Sequence, residues 1–191
     1  EIRYQLLPYL YTAFWNYVDH GTPMLKSLVL YDQEDVHTHY RTDEFIFGEH
    51  ILACPVLEPN SKGRRMYIPN GYWYNYWTDE LVKGGEEVWV DADIDSMPIF
   101  IKEGAIIPKF PVQQYVGEKE IKEINLDVYY MKGKENSELF SDANDGYDYF
   151  FFANLESSSS GRYGRYYWNF GNGYFATTAV TTNSGNGYAG A

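Results

Sequence analysis

The hydrophobic pattern changes character along the chain. Over residues 2–20, Leu6, Leu7, Leu10, Phe14 and Val18 recur at helical spacing, and Gly21 follows where a helix stop is expected. Pro8 lies inside this stretch, so the predicted helix kinks or restarts there, at a cost of about 3 kcal/mol unless packing compensates. After a Gly-Thr-Pro turn, Met24 to Tyr31 reads as a short strand. From residue 44 the periodicity becomes that of short apolar or alternating runs separated by turn residues, which predicts an antiparallel sandwich or barrel. The predicted strands are Ile51 to Leu57, Arg64 to Ile68, Tyr72 to Trp77, Glu87 to Asp91, Ile99 to Lys102 and Ile124 to Tyr130. Asn70-Gly71 lies between two of them and predicts a tight hairpin, because both residues tolerate positive φ. Residues 109–123 are a polar connection, and a second β-region is expected from about Glu123. Past Tyr149 the chain holds Ser157 to Ser160 and then mostly Gly, Asn, Thr and Tyr. Such a segment buries little, so mobility or weak edge pairing is expected of it.

Composition sharpens this picture. Aromatic residues make up 19% of the 191 residues, with 20 Tyr among them, while hydrophobic and charged fractions are ordinary. The excess favours β-structure and permits contact with sugar rings. A net charge of −12 repels phosphate backbones and anionic lipid, so nucleic acid and membrane surfaces are poor partners. No apolar run reaches the roughly 18–20 residues that span a bilayer. The start on Glu1 agrees with a truncated or processed piece. Cys54 is the single cysteine, which excludes an internal disulfide and Cys-based metal sites.

Four separated motifs carry a resemblance. They are Arg3 to Thr12 (Arg-Tyr-Gln-Leu-Leu-Pro-Tyr-Leu-Tyr-Thr), Phe45 to Val56, Gly71 to Thr78 (Gly-Tyr-Trp-Tyr-Asn-Tyr-Trp-Thr) and Asp91 to Pro108, where a polar loop, a buried strand and a Gly hinge follow in order. In that order they resemble the C-terminal third of family 31 glycoside hydrolases, the α-glucosidase and α-xylosidase group, over about residues 2–149. The resemblance implies a mainly β chain: an antiparallel β-sandwich (the proximal C-terminal domain), preceded by the last helix and strand of a (β/α)8 barrel and followed by a partial distal β-region. The implied divisions are 1–43 for the barrel end, 44–110 for the sandwich, 111–149 for the start of the distal domain and 150–191 for the low-complexity tail. It also implies a parent enzyme that hydrolyses terminal α-linked glucose or xylose from oligosaccharides, with retention and without cofactor or metal. The catalytic aspartates of that family lie upstream of every residue seen here. The chain would then be a structural part that packs on the barrel, with the oligosaccharide substrate reaching only the barrel.

Several constellations of polar residues could carry chemistry of their own. Asp91, Asp93 and Asp95 alternate in a polar loop, whereas a retaining pair needs carboxyl groups about 5–5.5 Å apart with one held neutral by burial. Asp142, Asn144, Asp145 and Asp148 surround Gly146 with the wrong spacing for a calcium loop, and an Asp-Gly turn explains them. His37, His39 and His50, with Asp35 and Asp43, read as a polar surface loop because no third metal ligand is fixed by spacing. Cys54 reads as a small core residue. The aromatic block is the best candidate for binding. Alternation would put Tyr72, Tyr74 and Tyr76 on one face and Trp73 and Trp77 on the other, so Trp73, Trp77, Tyr74 and Tyr76 are candidate sugar-stacking residues. The alternative reading of the whole is therefore a stand-alone carbohydrate-binding β-sandwich module.

Overall fold

In the computed structural model, residues 1–119, 121, 124–129, 139–140 and 180–182 are described. The chain divides into two compact units, one holding residues 1–23 and the described residues from Gly104 onward, the other residues 24–103.

The second unit is the larger β-body. Its six-stranded sheet is built from β1 (Leu25–Ser27), β2 (Phe45–Phe47), β3 (Ile51–Ala53), β5 (Tyr72–Asn75), β6 (Leu81–Lys83) and β8 (Ile99–Lys102), in the order β1-β2-β3-β8-β5-β6 with antiparallel neighbours. A separate ribbon pairs β4 (Gly63–Ile68) with β7 (Glu86–Asp91). Register explains the core. Ile46, Leu52 and Phe100 face each other across β2, β3 and β8, and Trp73 on β5 joins them on the same face. Against these pack Met66 and Ile68 from the ribbon, with Val88 and Val90 partly buried beside them. Ile51, Ile101 and Tyr74, on the opposite face of the sheet, are buried as well. Double burial is why these strands read as nearly continuous apolar runs instead of strict alternation.

Two expectations need correction here. Asn70-Gly71 does not close a hairpin, because β4 and β5 belong to different sheets. Gly71 takes φ 117° while Asn70 stays at negative φ, so the mirror-image turn a two-residue hairpin requires is not formed. The chain instead turns a corner from ribbon to sheet, and Gly84-Gly85 turns it back. The corners are clasped by the Gly84 N–H to Gly71 O and Gly85 N–H to Ile68 O bonds, both 2.8 Å. The segment Met24 to Tyr31 is a strand only through Ser27; Leu28–Tyr31 forms one helical turn, α3, with Leu28 buried in the core. Its strand pairs with β2 at the edge of the six-stranded sheet, so backbone on both sides of residue 43 shares this unit. Strands β2, β6 and β9 (Ile106–Lys109) are additional to the strands that the apolar pattern predicts.

The first unit joins helices to a small sheet. The predicted helix is broken into α1 (Ile2–Gln5) and α2 (Leu7–His20). Pro8 sits in the first turn of α2, where its missing N–H would have no helical partner anyway. Gly21 closes α2 in the left-handed conformation at φ 72°. Helix α2 buries Pro8, Tyr9, Thr12 and Ala13. Phe140 stacks on Trp15 at 5.0 Å, and its N–H donates to Thr12 Oγ1 at 3.0 Å. Strand β9 pairs antiparallel with β10 (Asn125–Val128), which pairs parallel with β11 (Val180–Thr182) at the sheet edge. The acidic turn at Asp142 to Asp148 and the rest of the Ser/Gly/Asn/Tyr-rich tail lie outside the described residues.

Candidate functional site

The aromatic block divides differently from its sequence pattern. Trp73 is fully buried, with its indole N–H donating to Pro69 O at 2.9 Å and its ring 6.1 Å from that of Tyr31. Tyr74 is buried on the other side of the sheet. Both are core residues, so neither offers a ring to a ligand. Strand β5 ends at Asn75, whose Oδ1 accepts the Trp77 N–H at 2.9 Å and folds Tyr76, Trp77 and Thr78 into a turn. Alternation stops at that turn, and Trp77 does not share the face of Trp73. Trp77 is 44% exposed; its indole N–H donates to Met97 O at 2.7 Å, and the Tyr76 ring meets it edge-on at 5.2 Å. Of the four predicted stacking residues, Trp77 and Tyr76 are the pair that the turn presents together.

Asp35 and Asp43, expected in a polar surface loop, instead join a polar cluster at the β4/β7 ribbon in which Asp35 is buried, together with Glu44, Arg64 and Tyr67, which no sequence motif singles out. Glu44, with its side chain wholly buried, accepts the Tyr67 N–H through both carboxylate oxygens at 3.0 and 3.2 Å and pairs with Arg64 at 3.2 Å. Arg64 also donates to the carbonyls of Asp43 (2.9 Å) and Pro55 (2.7 Å) and pairs with the Asp43 carboxylate. Burial raises the Glu44 pKa, the Tyr67 amide and the guanidinium groups of Arg41 and Arg64 opposing it without cancelling it. Close by, Asp35 accepts from the Tyr67 hydroxyl, the Asn70 amide (3.1 Å) and the His37 N–H (3.0 Å). Desolvation alone would raise the Asp35 pKa, but these hydrogen bonds, with His37 and His39 nearby, bring it below the ordinary value. Burial and the Asp35 carboxylate push the Tyr67 phenol upward. The cluster ties the loop at residues 35–44 to the ribbon. Its carboxylates are covered by their own partners, which suits bracing and leaves no open acid and base facing one another.

The remaining candidates scatter. The His37 ring lies 5.5 Å from that of Tyr67, the His39 ring nitrogen meets Gln33 O at 2.9 Å, and burial depresses His50 to about 4. Among the described residues, no three His, Cys, Asp or Glu side chains converge where a metal ion could be held. Asp91 Oδ1 accepts the Trp89 indole N–H, and Asp93 exchanges bonds with Ser96 in a local turn. Cys54 is buried in the core, and burial pushes its thiol strongly upward, away from reactivity.

Comparison with known proteins decides what this β-body is. Residues 21–107 match the family model described as "Glycosyl hydrolase family 31 C-terminal domain". The chain belongs to glycosyl hydrolase family 31 and carries its C-terminal domain. Among its relatives are Alpha-glucosidase 2 of Bacillus thermoamyloliquefaciens, 33% identical over 152 residues, and the Alpha-xylosidase of Saccharolobus solfataricus, 32% identical over 151 residues. Each alignment takes in 78% of this chain, and the chain spans only 19% and 20% of the respective relatives. A solved family 31 dextranase of Flavobacterium johnsoniae, crystallised with isomaltotriose, superposes with a TM-score of 0.72 at 31% identity, over 75% of this chain and 18% of the dextranase. The mainly antiparallel β architecture described above is that of this family 31 C-terminal region.

Proposed function

We propose that this chain is the C-terminal, structural part of a retaining α-glycosidase that releases terminal α-linked glucose or xylose from oligosaccharides. The observation that carries the reading is the family match over residues 21–107, in a region where relatives bear the names α-glucosidase and α-xylosidase. The catalytic aspartates then lie outside these residues. Helices α1 and α2 serve as the closing helix of a (β/α)8 barrel. Residues 44–110, with the edge strand β1, serve as the proximal sandwich, residues 111–149 begin a distal β-domain, and residues 150–191 follow as a tail. The sandwich braces the barrel and holds its loops in register, a supporting role that sharpens a cleft without lining it. Support for a packed neighbour comes from α2, on which Tyr11, Phe14, Tyr17 and Val18 remain exposed although Tyr9, Thr12 and Ala13 are buried.

The test is turnover by the full-length protein that contains this chain, on p-nitrophenyl α-glucoside and α-xyloside, with the anomer of fresh product read by proton NMR. The α-anomer appearing first is expected. First appearance of the β-anomer, or no turnover of either substrate, overturns the reading. The 191-residue chain alone should be inactive, and activity there would overturn the placement of catalysis elsewhere.

A second reading, a sugar contact through Trp77 with Tyr76 at its edge, is favoured by the exposure of the Trp77 ring. It predicts calorimetric binding of maltooligosaccharides that Trp77→Ala abolishes.

A further inference from the structure

The outward side of the β4/β7 ribbon carries an arrangement that the hydrolase reading leaves unused. Val88 and Val90 pack on the core, so Glu87, Trp89 and Asp91 point the other way, opposite Tyr67, Arg65 and Gly63 in register. One end of this face is covered. The Arg41 guanidinium lies over the Tyr67 ring at 5.4 Å and pairs with Glu87.

At the other end Trp89 is 57% exposed. Its indole N–H donates to Asp91 Oδ1 at 2.8 Å, which fixes the ring plane. A Cβ built on Gly63 would come within 3.1 Å of Trp89 Cζ2, so the indole rests across a strand position that has no side chain. Covering a strand glycine with an aromatic ring accounts for where the indole rests. It does not account for the polar groups beside it. Arg65 stands directly across from Trp89 and is exposed, and cross-strand neighbours lie about 5 Å apart. Asp91 supplies a carboxylate at the rim. A flat aromatic surface, a planar guanidinium donor and a carboxylate acceptor within one strand spacing match a pyranose ring, which offers a C–H face for stacking and hydroxyls at its edge.

We propose that Trp89, flanked by Arg65 and Asp91, forms a surface binding site for a pyranose unit of a neutral α-linked glucan. A donor and an acceptor of opposite charge sit side by side, which suits a neutral polyol better than an anion, and the chain's net charge of −12 disfavours anions further. A protein partner would need a broader apolar area, whereas this ring is bordered by Arg65, Glu87 and Asp91. The choice of an α-linked glucan rests on the hydrolase reading above; the site's geometry does not.

The test uses the full-length protein in native gels containing dextran or soluble starch, alongside turnover of p-nitrophenyl α-glucoside and α-xyloside. Trp89→Ala should weaken retardation by the polymer about three- to tenfold, the worth of one stacking contact. Turnover of the small substrate should stay within about twofold. Arg65→Ala removes an exposed donor without removing the ring, and should weaken retardation several-fold even if Trp89→Ala fails to fold. Unchanged retardation in both variants overturns the site, as does parallel loss of small-substrate turnover, which would mark Trp89 as a prop of the fold. A wild-type protein that is retarded but turns over neither aryl glycoside sinks the hydrolase reading while leaving the site standing. A wild-type protein that is not retarded sinks the site alone.

Discussion

The charged residues that matter most in this chain are those whose partners are distant in sequence. Glu44 is wholly buried and satisfies both the Tyr67 amide and Arg64. Glu44→Ala would leave the buried Tyr67 N–H without its acceptor, while Arg64 would keep Asp43 and Pro55 as partners, and should cost about 2–3 kcal/mol in urea denaturation, with Glu44→Gln costing less because it keeps one acceptor. His50 makes a different prediction. Burial lowers its pKa from 6.5 to about 4, with Glu49 opposing the shift and Lys102 aiding it. The unfolded chain therefore binds more protons between those two values, so His50's contribution to stability is complete above about pH 6.5 and is lost as pH falls toward 4. Because the residue is only partly buried, the effect should be on the order of 1–2 kcal/mol. Comparing unfolding of wild type and His50→Gln at pH 7 and pH 4.5 checks it: the gap between them should shrink or reverse on acidification, and an unchanged gap would refute it. Neither role was legible in the sequence, where Glu44 is one acid among many and His50 looks like a loop histidine.

At the scale of elements, the interlocked corners at Pro69–Gly71 and Gly84–Gly85 do what a hairpin was expected to do. They carry the chain out of the ribbon into the sheet and back again. Close approach is the reason Gly84 has no side chain, since a Cβ there would lie 1.9 Å from Pro69 O. Gly84→Ala should therefore push the corners apart and cost about 2–3 kcal/mol, read as a lowered thermal midpoint. The same substitution at Gly71 would meet nothing within 4 Å but would suffer from φ 117°, so its penalty is conformational and should be smaller. The turn residues were visible in the sequence; the sheet each flanking strand would join was not. An Asn-Gly pair reports that the chain reverses locally, while pairing is decided by which strands Trp73 and Met66 need to bury against.

For the molecule as a whole, the exposed row Tyr11, Phe14, Tyr17 and Val18 predicts how the 191-residue chain behaves in isolation. It should self-associate in light scattering after size exclusion, and Phe14→Ser with Tyr17→Ser should return it toward monomer. A monodisperse wild-type chain would contradict this. The sequence by itself determined the β-rich class, the Gly21 helix stop, the restart at Pro8 and the family, because each of these rests on local spacing or on contiguous motifs. Only the tertiary structure decided that Trp73 and Tyr74 lie in the core while Trp77 and Trp89 face outward, and that Asp35, Glu44, Arg64 and Tyr67 meet beneath the ribbon. The physical reason is common to both. Burial and ion pairing depend on which segments pack together, and here that packing brings together residues more than twenty positions apart, beyond the reach of any local periodicity.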